Sequence, residues 1–451
     1  MKITFIYPNM MPGKLGDIIE PLVFALLSGM TPTDTEQVLY DQRIETIPFD
    51  EPTNLAVLSV NTFNAKSAYQ IALQYQRRGV PVIMGGHHPT LLPEESLHFA
   101  TSIVRGDAEG VWPEVVEDAK QGRLRKIYEM RSPSLKGMKV NRSIFKGKRY
   151  TPVSLVQFSR GCRFNCDFCS IHAFYGDDIR QRPIGELVEE IKQFGRKNVF
   201  IIDDNLFNDI DTAKELFKAL KPLHIRWGCQ ASLEVGANHD LVRLMAESGC
   251  VSVLLGFESF IENNLRQMKK YWNLAYGTYE EHIRVFTDYG IMIHGSFIFG
   301  YDHDSTDSVP LALDFAIRQK LLTARFNPAT PLPGTPLYER LRQEKRLIHD
   351  HWWIHPDFRY GQSWFHPKGM TAEQLAEACY WARTQFNKYG SILRRGLNFR
   401  SNSHTFRNIC VFLAVNWITK HQVERKFGKP LGYGNGLEAS AVESILGKYI
   451  H

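Results

Sequence analysis

Ser159-Arg160-Gly161-Cys162-Arg163-Phe164-Asn165-Cys166-Asp167-Phe168-Cys169 is the stretch on which the fold turns. Its three cysteines are spaced C-x3-C-x2-C and follow directly on an apolar, strand-like run, Leu155–Phe158. Three thiolates this close together, on a loop entered through a glycine, can wrap one soft metal site. A structural zinc site usually takes four ligands, and no fourth cysteine lies nearby. His172 could complete a Cys3His zinc site. Alternatively, three ligands on a four-iron cluster would leave one iron open to substrate.

Working outward, strand and helix patterns alternate from Leu155 onward. The predicted strands are Leu155–Phe158, Asn198–Ile202, Ile225–Gly228, Val251–Leu255, Met292–Ile298 and Thr323–Asn327. Amphipathic runs near 185–194, 212–220, 240–248, 279–289 and 308–319 lie between them. Six such units predict a curved parallel sheet or partial barrel, whose chemistry belongs at the carboxyl ends of the strands. Before it, strand patterns at Lys2–Tyr7, Leu55–Val60, Val80–Met84 and Ser102–Val104 end in glycine- and proline-broken loops, including Pro8–Gly16. They predict a doubly wound α/β domain with a cofactor crevice on one edge. The expected organisation is an amino-terminal domain over 1–130, a basic linker over 131–150, the partial barrel over 151–370 and a helical region over 371–451.

The 451 residues are 43% hydrophobic and 23% charged, with 33 Gly and 22 Pro. These are globular proportions that exclude extensive disorder, collagen and coiled coil. A net charge of +6 is too small at this length to imply a nucleic-acid partner. The opening Met1–Pro8 is too short and too soon interrupted for a signal peptide, no run reaches bilayer-spanning length, and the seven cysteines suit reduced thiols or metal ligands. A cytoplasmic protein is expected. Cys229, Cys250, Cys379 and Cys410 are scattered and read as small buried residues. The basicity is concentrated late: 388–429 holds nine Lys or Arg against Glu424 alone. Arg394, Arg395, Arg400 and Arg407 precede the apolar stretch Val411–Ile418, which suits an anionic membrane surface or a lipid-like substrate. The plainer expectation is a helix packed on the barrel with a solvated basic face. Trp352, Trp353, Tyr360, Trp364 and Phe365 could line a substrate pocket or pack as core.

The triplet, its place after the first barrel strand and the aromatic Phe168 before the third cysteine resemble the radical S-adenosylmethionine (SAM) enzymes. That resemblance implies a [4Fe-4S] cluster on Cys162, Cys166 and Cys169, reductive cleavage of SAM to a 5′-deoxyadenosyl radical, and an electron donor such as flavodoxin or ferredoxin. It places Asp203, Asp204 and Asn205, closing the second strand, where the family holds the methionine amino group; a helix N-cap is the other reading. Gln230, Ser232 and Glu234 are spaced to face one side, as ribose and carboxylate contacts would. Glu258 closes the fourth strand near the expected SAM pocket, and a buried Glu there demands a partner. The turns at 295–300 and 331–336 flank the adenine or serve as turns only.

The amino-terminal strand ends resemble the cobalamin-binding domain fused to many radical SAM enzymes. Tyr40–Arg43, Ser59, Asn61 and Thr62, then Gly85, Gly86, His87, His88 and Pro89, and Gly106–Glu109 are the expected cobalamin contacts. The Asp-x-His-x-x-Gly cobalt-ligating motif is missing, Asn9–Gly13 standing in its place. His87 and His88 are alternative ligands or polar lining. A domain that has lost its cofactor is the other reading; a nucleotide is disfavoured by the missing Gly-x-Gly-x-x-Gly. The domain order resembles enzymes that methylate unactivated carbons of lipids and tetrapyrroles. The leading expectation is a C-methyltransferase of a small-molecule or lipid-like substrate. Radical cyclisation or oxidation without methyl transfer is the second, and a non-catalytic iron–sulfur protein the third.

Overall fold

The computed structural model describes residues 1–13, 18–432, 441–442 and 444–447. Two all-parallel six-stranded sheets organise it. The first comprises β1 (Lys2–Tyr7), β2 (Glu36–Asp41), β3 (Leu55–Ser59), β4 (Val82–Gly85), β5 (Ser102–Gly106) and β6 (Ile127–Met130), in the order β2-β1-β3-β4-β5-β6. The order reverses beside β1, so the crevice opens beyond the carboxyl ends of β1 and β3. Apolar runs such as Leu55-Ala56-Val57-Leu58 form these strands because both faces are covered by helices. β2 and β6 escaped the sequence reading as strands: both are edge elements with polar residues, Glu36-Gln37 and Glu129. Part of the expected loop Pro8–Gly16 (residues 14–16) and of the carboxy-terminal region lies outside the described residues.

The second sheet comprises β7 (Ser154–Val156), β8 (Asn198–Ile201), β9 (Arg226–Ala231), β10 (Cys250–Glu258), β11 (Met292–Phe299) and β12 (Thr323–Pro328), paired in sequence order. All six fall where the apolar runs predicted them, and the helices Ile184–Phe194, Ile210–Leu220, His239–Glu247, Tyr279–Asp288 and Ser308–Arg318 lie between. A bulge between Gly256 and Glu258 re-aims the end of β10 into the sheet mouth.

The segment 131–150, expected as the linker, is tied to both of its neighbours by ion pairs. Arg142 pairs with buried Glu20 and, at 2.8 Å, with Glu190, bridging the two halves. The aromatic residues after β12 are core: Trp352, Trp353, Trp364 and Phe365 are buried, and Phe63 of the amino-terminal half packs on Trp352 and Trp364. Of the scattered cysteines, Cys229, Cys250 and Cys379 are buried as expected. Cys410 is not, because it lies on the solvent side of helix Phe406–Lys426.

Candidate active site

The cysteine loop leaves β7 across the mouth of the second sheet and is pinned from several sides. Asp203, at the end of β8, accepts from the Phe158 and Ser159 amides, both at 2.7 Å, and from Ser159 Oγ at 2.6 Å. Asp204 accepts from the Gly161 amide at 2.9 Å, and Asn205 Nδ2 reaches Cys162 Sγ at 3.6 Å. Gln230 donates to the Asp203 carbonyl at 2.7 Å. These residues were expected to touch SAM directly. The structure makes Asp203 a frame of the loop instead, because both its oxygens are taken by Phe158 and Ser159, and Gln230 spends its amide nitrogen on the Asp203 carbonyl. Burial pushes the Asp203 carboxyl up to about 7. Gly161 is required here: its φ is +88°, and a Cβ would stand 2.0 Å from the Asp178 carbonyl oxygen.

Asp167, inside the triplet, is a framing residue that the sequence reading passed over. It accepts from Tyr301 Oη at 2.5 Å and from Arg340 at 2.9 Å, and its backbone bonds Met268 and Leu337. Phe164 stacks on Trp272 with ring centroids 3.9 Å apart, covering one side of the loop, and Phe168 packs against the core.

The three thiols stand close enough to influence one another electrostatically, and burial pushes all of them up, Cys166 to about 12. Beside them lies Lys270, which no local motif reveals. It is buried, donates to Glu258 at 2.7 Å and to the Gly256 carbonyl at 3.0 Å, and feels the charge of Cys166 and Cys169. Glu258, at φ +64°, turns its other oxygen, Oε2, into the site without a protein partner. Across the mouth, Ser232 bonds Glu234 at 3.1 Å, and Glu234 pairs with Arg163 of the loop. Among the described residues no group of three or more His, Cys, Asp or Glu side chains is already gathered around a single ion position. A four-iron cluster takes each thiolate on a different iron, so the donor set of three cysteines with a neighbouring cation fits that group.

The amino-terminal crevice faces this loop. A cavity of about 250 Å³ lies between the ends of β3, β4 and β5 and the barrel, lined by Ser59, Gly85, Gly86, His87 and Trp112 on one side and Gln157, Arg160 and Ile202 on the other. A second cavity of about 380 Å³ adjoins it, sharing Gly106, Asp107, Phe174 and Tyr175. Together they reach the usual size range of cofactor sites. Gly86, at φ +110°, keeps the β4 loop against the Val60 carbonyl. His87 packs on Phe174 with tilted rings whose centroids are 4.5 Å apart, and its buried Nε2 has no protein partner, as a residue awaiting a ligand would show. His88 is a correction: both ring nitrogens are engaged in the core, with Thr62 at 3.3 Å and with Tyr69 and Glu95 at 3.0 and 3.1 Å. Thr62 and Pro89 are buried with it, and Asn61 caps the turn that follows. Glu109 is held by Arg160, which also pairs with Asp107 at 2.9 Å.

Residues 156–316 match the radical SAM superfamily, and that stretch of the chain is the domain of a radical SAM enzyme. Such enzymes act on a small-molecule substrate and draw on an electron donor. The chain is 28% identical over 396 residues to bacteriochlorophyllide d C-12(1)-methyltransferase of Chlorobaculum tepidum, covering 84% of this chain and 85% of that protein. In structure it resembles the radical SAM methyltransferase TsrM of Kitasatospora setae, solved with cobalamin and a [4Fe-4S] cluster (TM-score 0.61, 16% identity, 77% of this chain and 76% of that one). It also resembles the cobalamin-dependent SAM radical enzyme OxsB with aqua-cobalamin (TM-score 0.58, 14% identity, 99% and 75%). No helix among the described residues is long and apolar enough to cross a membrane.

Proposed function

We propose that this chain is a cobalamin-dependent C-methyltransferase acting on an unactivated carbon of a large, mostly apolar natural product. The observation that carries the reading is the cavity between the sheets: one wall is the glycine-turned crevice of the first sheet, the other the strand and loop that hold the cysteine triplet. A corrin bound there would face the site of radical formation. Cys162, Cys166 and Cys169 would hold the cluster, the Glu258 carboxylate and Ser232–Glu234 edge the SAM site, and Ser59, Gly85, Gly86 and His87 the corrin side. When bound, these cofactors supply a carbon radical and a transferable methyl group. The chain's own part is enclosure and placement. Phe164 on Trp272 shields the loop from water, and the buried Lys270–Glu258 pair presents a fixed charge beside the thiolates. Asp203 and Asp204 fix the loop's register.

A tetrapyrrole is the first substrate to try, since the Chlorobaculum relative acts on bacteriochlorophyllide d. Anaerobic purification, cluster reconstitution and corrinoid extraction test the assignment. A bound corrinoid, and a product heavier by one methylene unit, support it. A protein that cleaves SAM but retains no corrinoid, and whose product gains no carbon, fits the radical cyclase or oxidase reading and rejects methyl transfer.

A further inference from the structure

The two helices Tyr389–Gly396 and Phe406–Lys426 leave most of their large apolar side chains in water. Their inner faces bury only Ile392 and Phe412, in a small core with Met292 and Leu322, beside two polar residues, Arg395 and Asn416. Arg395, fully buried, donates to the Leu321 and Leu322 carbonyls at 2.9 and 2.8 Å, to the Phe386 carbonyl at 3.0 Å and to Asn416 Oδ1 at 2.8 Å. Asn416 in turn bonds the Leu322 carbonyl. Their outer faces are apolar. Tyr389, Leu393 and Leu397 recur every four residues, and Phe406, Cys410, Leu413 and Trp417 recur at spacings of four, three and four, so each set forms one stripe. All are exposed, the hydrophobic ones from 53% at Leu413 to 81% at Phe406, and Phe399 between the helices is 71% exposed. Lys420 lies 5.0 Å from the centre of the Tyr389 ring, which sets the two stripes side by side. Exposed Lys388, Arg394 and Arg407 border them, and the only acid from 388 to 429 is Glu424.

We infer that this face is a docking surface for an anionic lipid bilayer, in whose interface the two helices lie. Burying contiguous aromatic and aliphatic side chains is the main drive, and charge complementarity selects the partner. A second copy of the chain would set two strongly basic faces against each other, which like-charge repulsion opposes. The helices lie on the membrane rather than cross it, since neither is apolar enough to span. Trp417 and Tyr389 are the side chains that favour the headgroup level.

Sedimentation of the full chain with phosphatidylcholine vesicles, with and without phosphatidylglycerol, tests this without any cofactor. Binding to the anionic vesicles is expected to exceed binding to the neutral ones by about tenfold or more and to weaken at high salt. The Trp417 emission should shift to the blue on binding, and Trp417→Phe should remove that shift. Leu393→Glu with Trp417→Glu should abolish sedimentation; Phe399→Glu with Leu413→Glu is the second pair should the first fail to fold. Absence of binding to anionic vesicles, equal binding to neutral ones, or full binding by a folded double variant overturns the inference. So does a concentration-dependent dimer of the wild type that the variants dissolve, which would assign the face to a second copy.

Discussion

Asp304 shows how one buried carboxyl props the site from a distance. It lies in the turn after β11, 3% exposed, and accepts from the Gly300 and Tyr301 amides at 2.8 and 3.1 Å. Tyr301 then holds Asp167 in the cysteine loop. Burial raises the Asp304 carboxyl from 3.8 to about 6. The native state therefore binds a proton that the unfolded chain has released between about pH 4 and 6, and stability falls as pH rises through that window. The loss is on the order of 3 kcal/mol by pH 7. Asp304→Asn keeps an acceptor oxygen and has no proton to lose. Denaturant melts at several pH values should show a flatter profile for the variant between pH 4 and 6, with its advantage at pH 7. An unchanged slope would mean that other groups carry this pH dependence.

At the scale of elements, the cysteine loop depends on the tight ladder it makes as it leaves β7, where Ser159 and Arg160 pair antiparallel with Gln181 and Arg180. That ladder brings the Asp178 carbonyl against Gly161, where only a hydrogen fits. Gly161→Ala should cost about 1–3 kcal/mol of local backbone strain before the steric clash is counted. Reconstituted iron per chain is expected to fall several-fold, while Gly185→Ala, where a Cβ would meet nothing within 4 Å, should load normally. Wild-type iron in the Gly161 variant would show that the loop moves aside freely. The loop itself was legible because its three cysteines announce themselves within one turn of chain. The strands around it were legible because buried parallel strands are continuous apolar runs. The partners were not. Asp203 and Gln230 were visible as polar residues at strand ends, yet nothing local says that they spend their bonds on backbone 27 to 45 residues away. Lys270 serves Glu258 from the far side of a helix, and His88 turns into the core because Tyr69 and Glu95 meet it there. The exposed apolar stripes of the last two helices were hidden for the same reason. Spacing shows that a stripe exists, and only tertiary packing shows which way it points.

For the whole molecule the decisive feature is how the two sheets are held mouth to mouth. Arg160, beside the cysteine triplet and buried, pairs with Glu109 and Asp107 at the end of β5; Arg180 braces Asp107 at 2.7 Å. These ions lie at the cavity wall, so the same contacts that orient the halves also shape the space between them. A buried charge left alone costs more than a buried pair contributes. Arg160→Met strands Glu109 and should cost about 3–5 kcal/mol. Glu109→Gln leaves Arg160 its bond to Asp107 and should cost less. In the double variant neither an unpaired arginine nor an unpaired glutamate remains at this position, so its loss should fall short of the summed single losses by about 2 kcal/mol. A double-mutant cycle by chemical denaturation measures that difference. Strict additivity would show that solvent reaches the pair and that the halves are held by other contacts, such as the Arg142 ion pairs and Phe63 on Trp352. A positive coupling instead makes Arg160 the hinge pin between the crevice and the cysteine loop. Arg160→Met should then lower corrinoid retention more than iron loading, because the three cysteines proposed to hold the iron sit wholly on the second sheet's loop, whereas the cavity needs both walls.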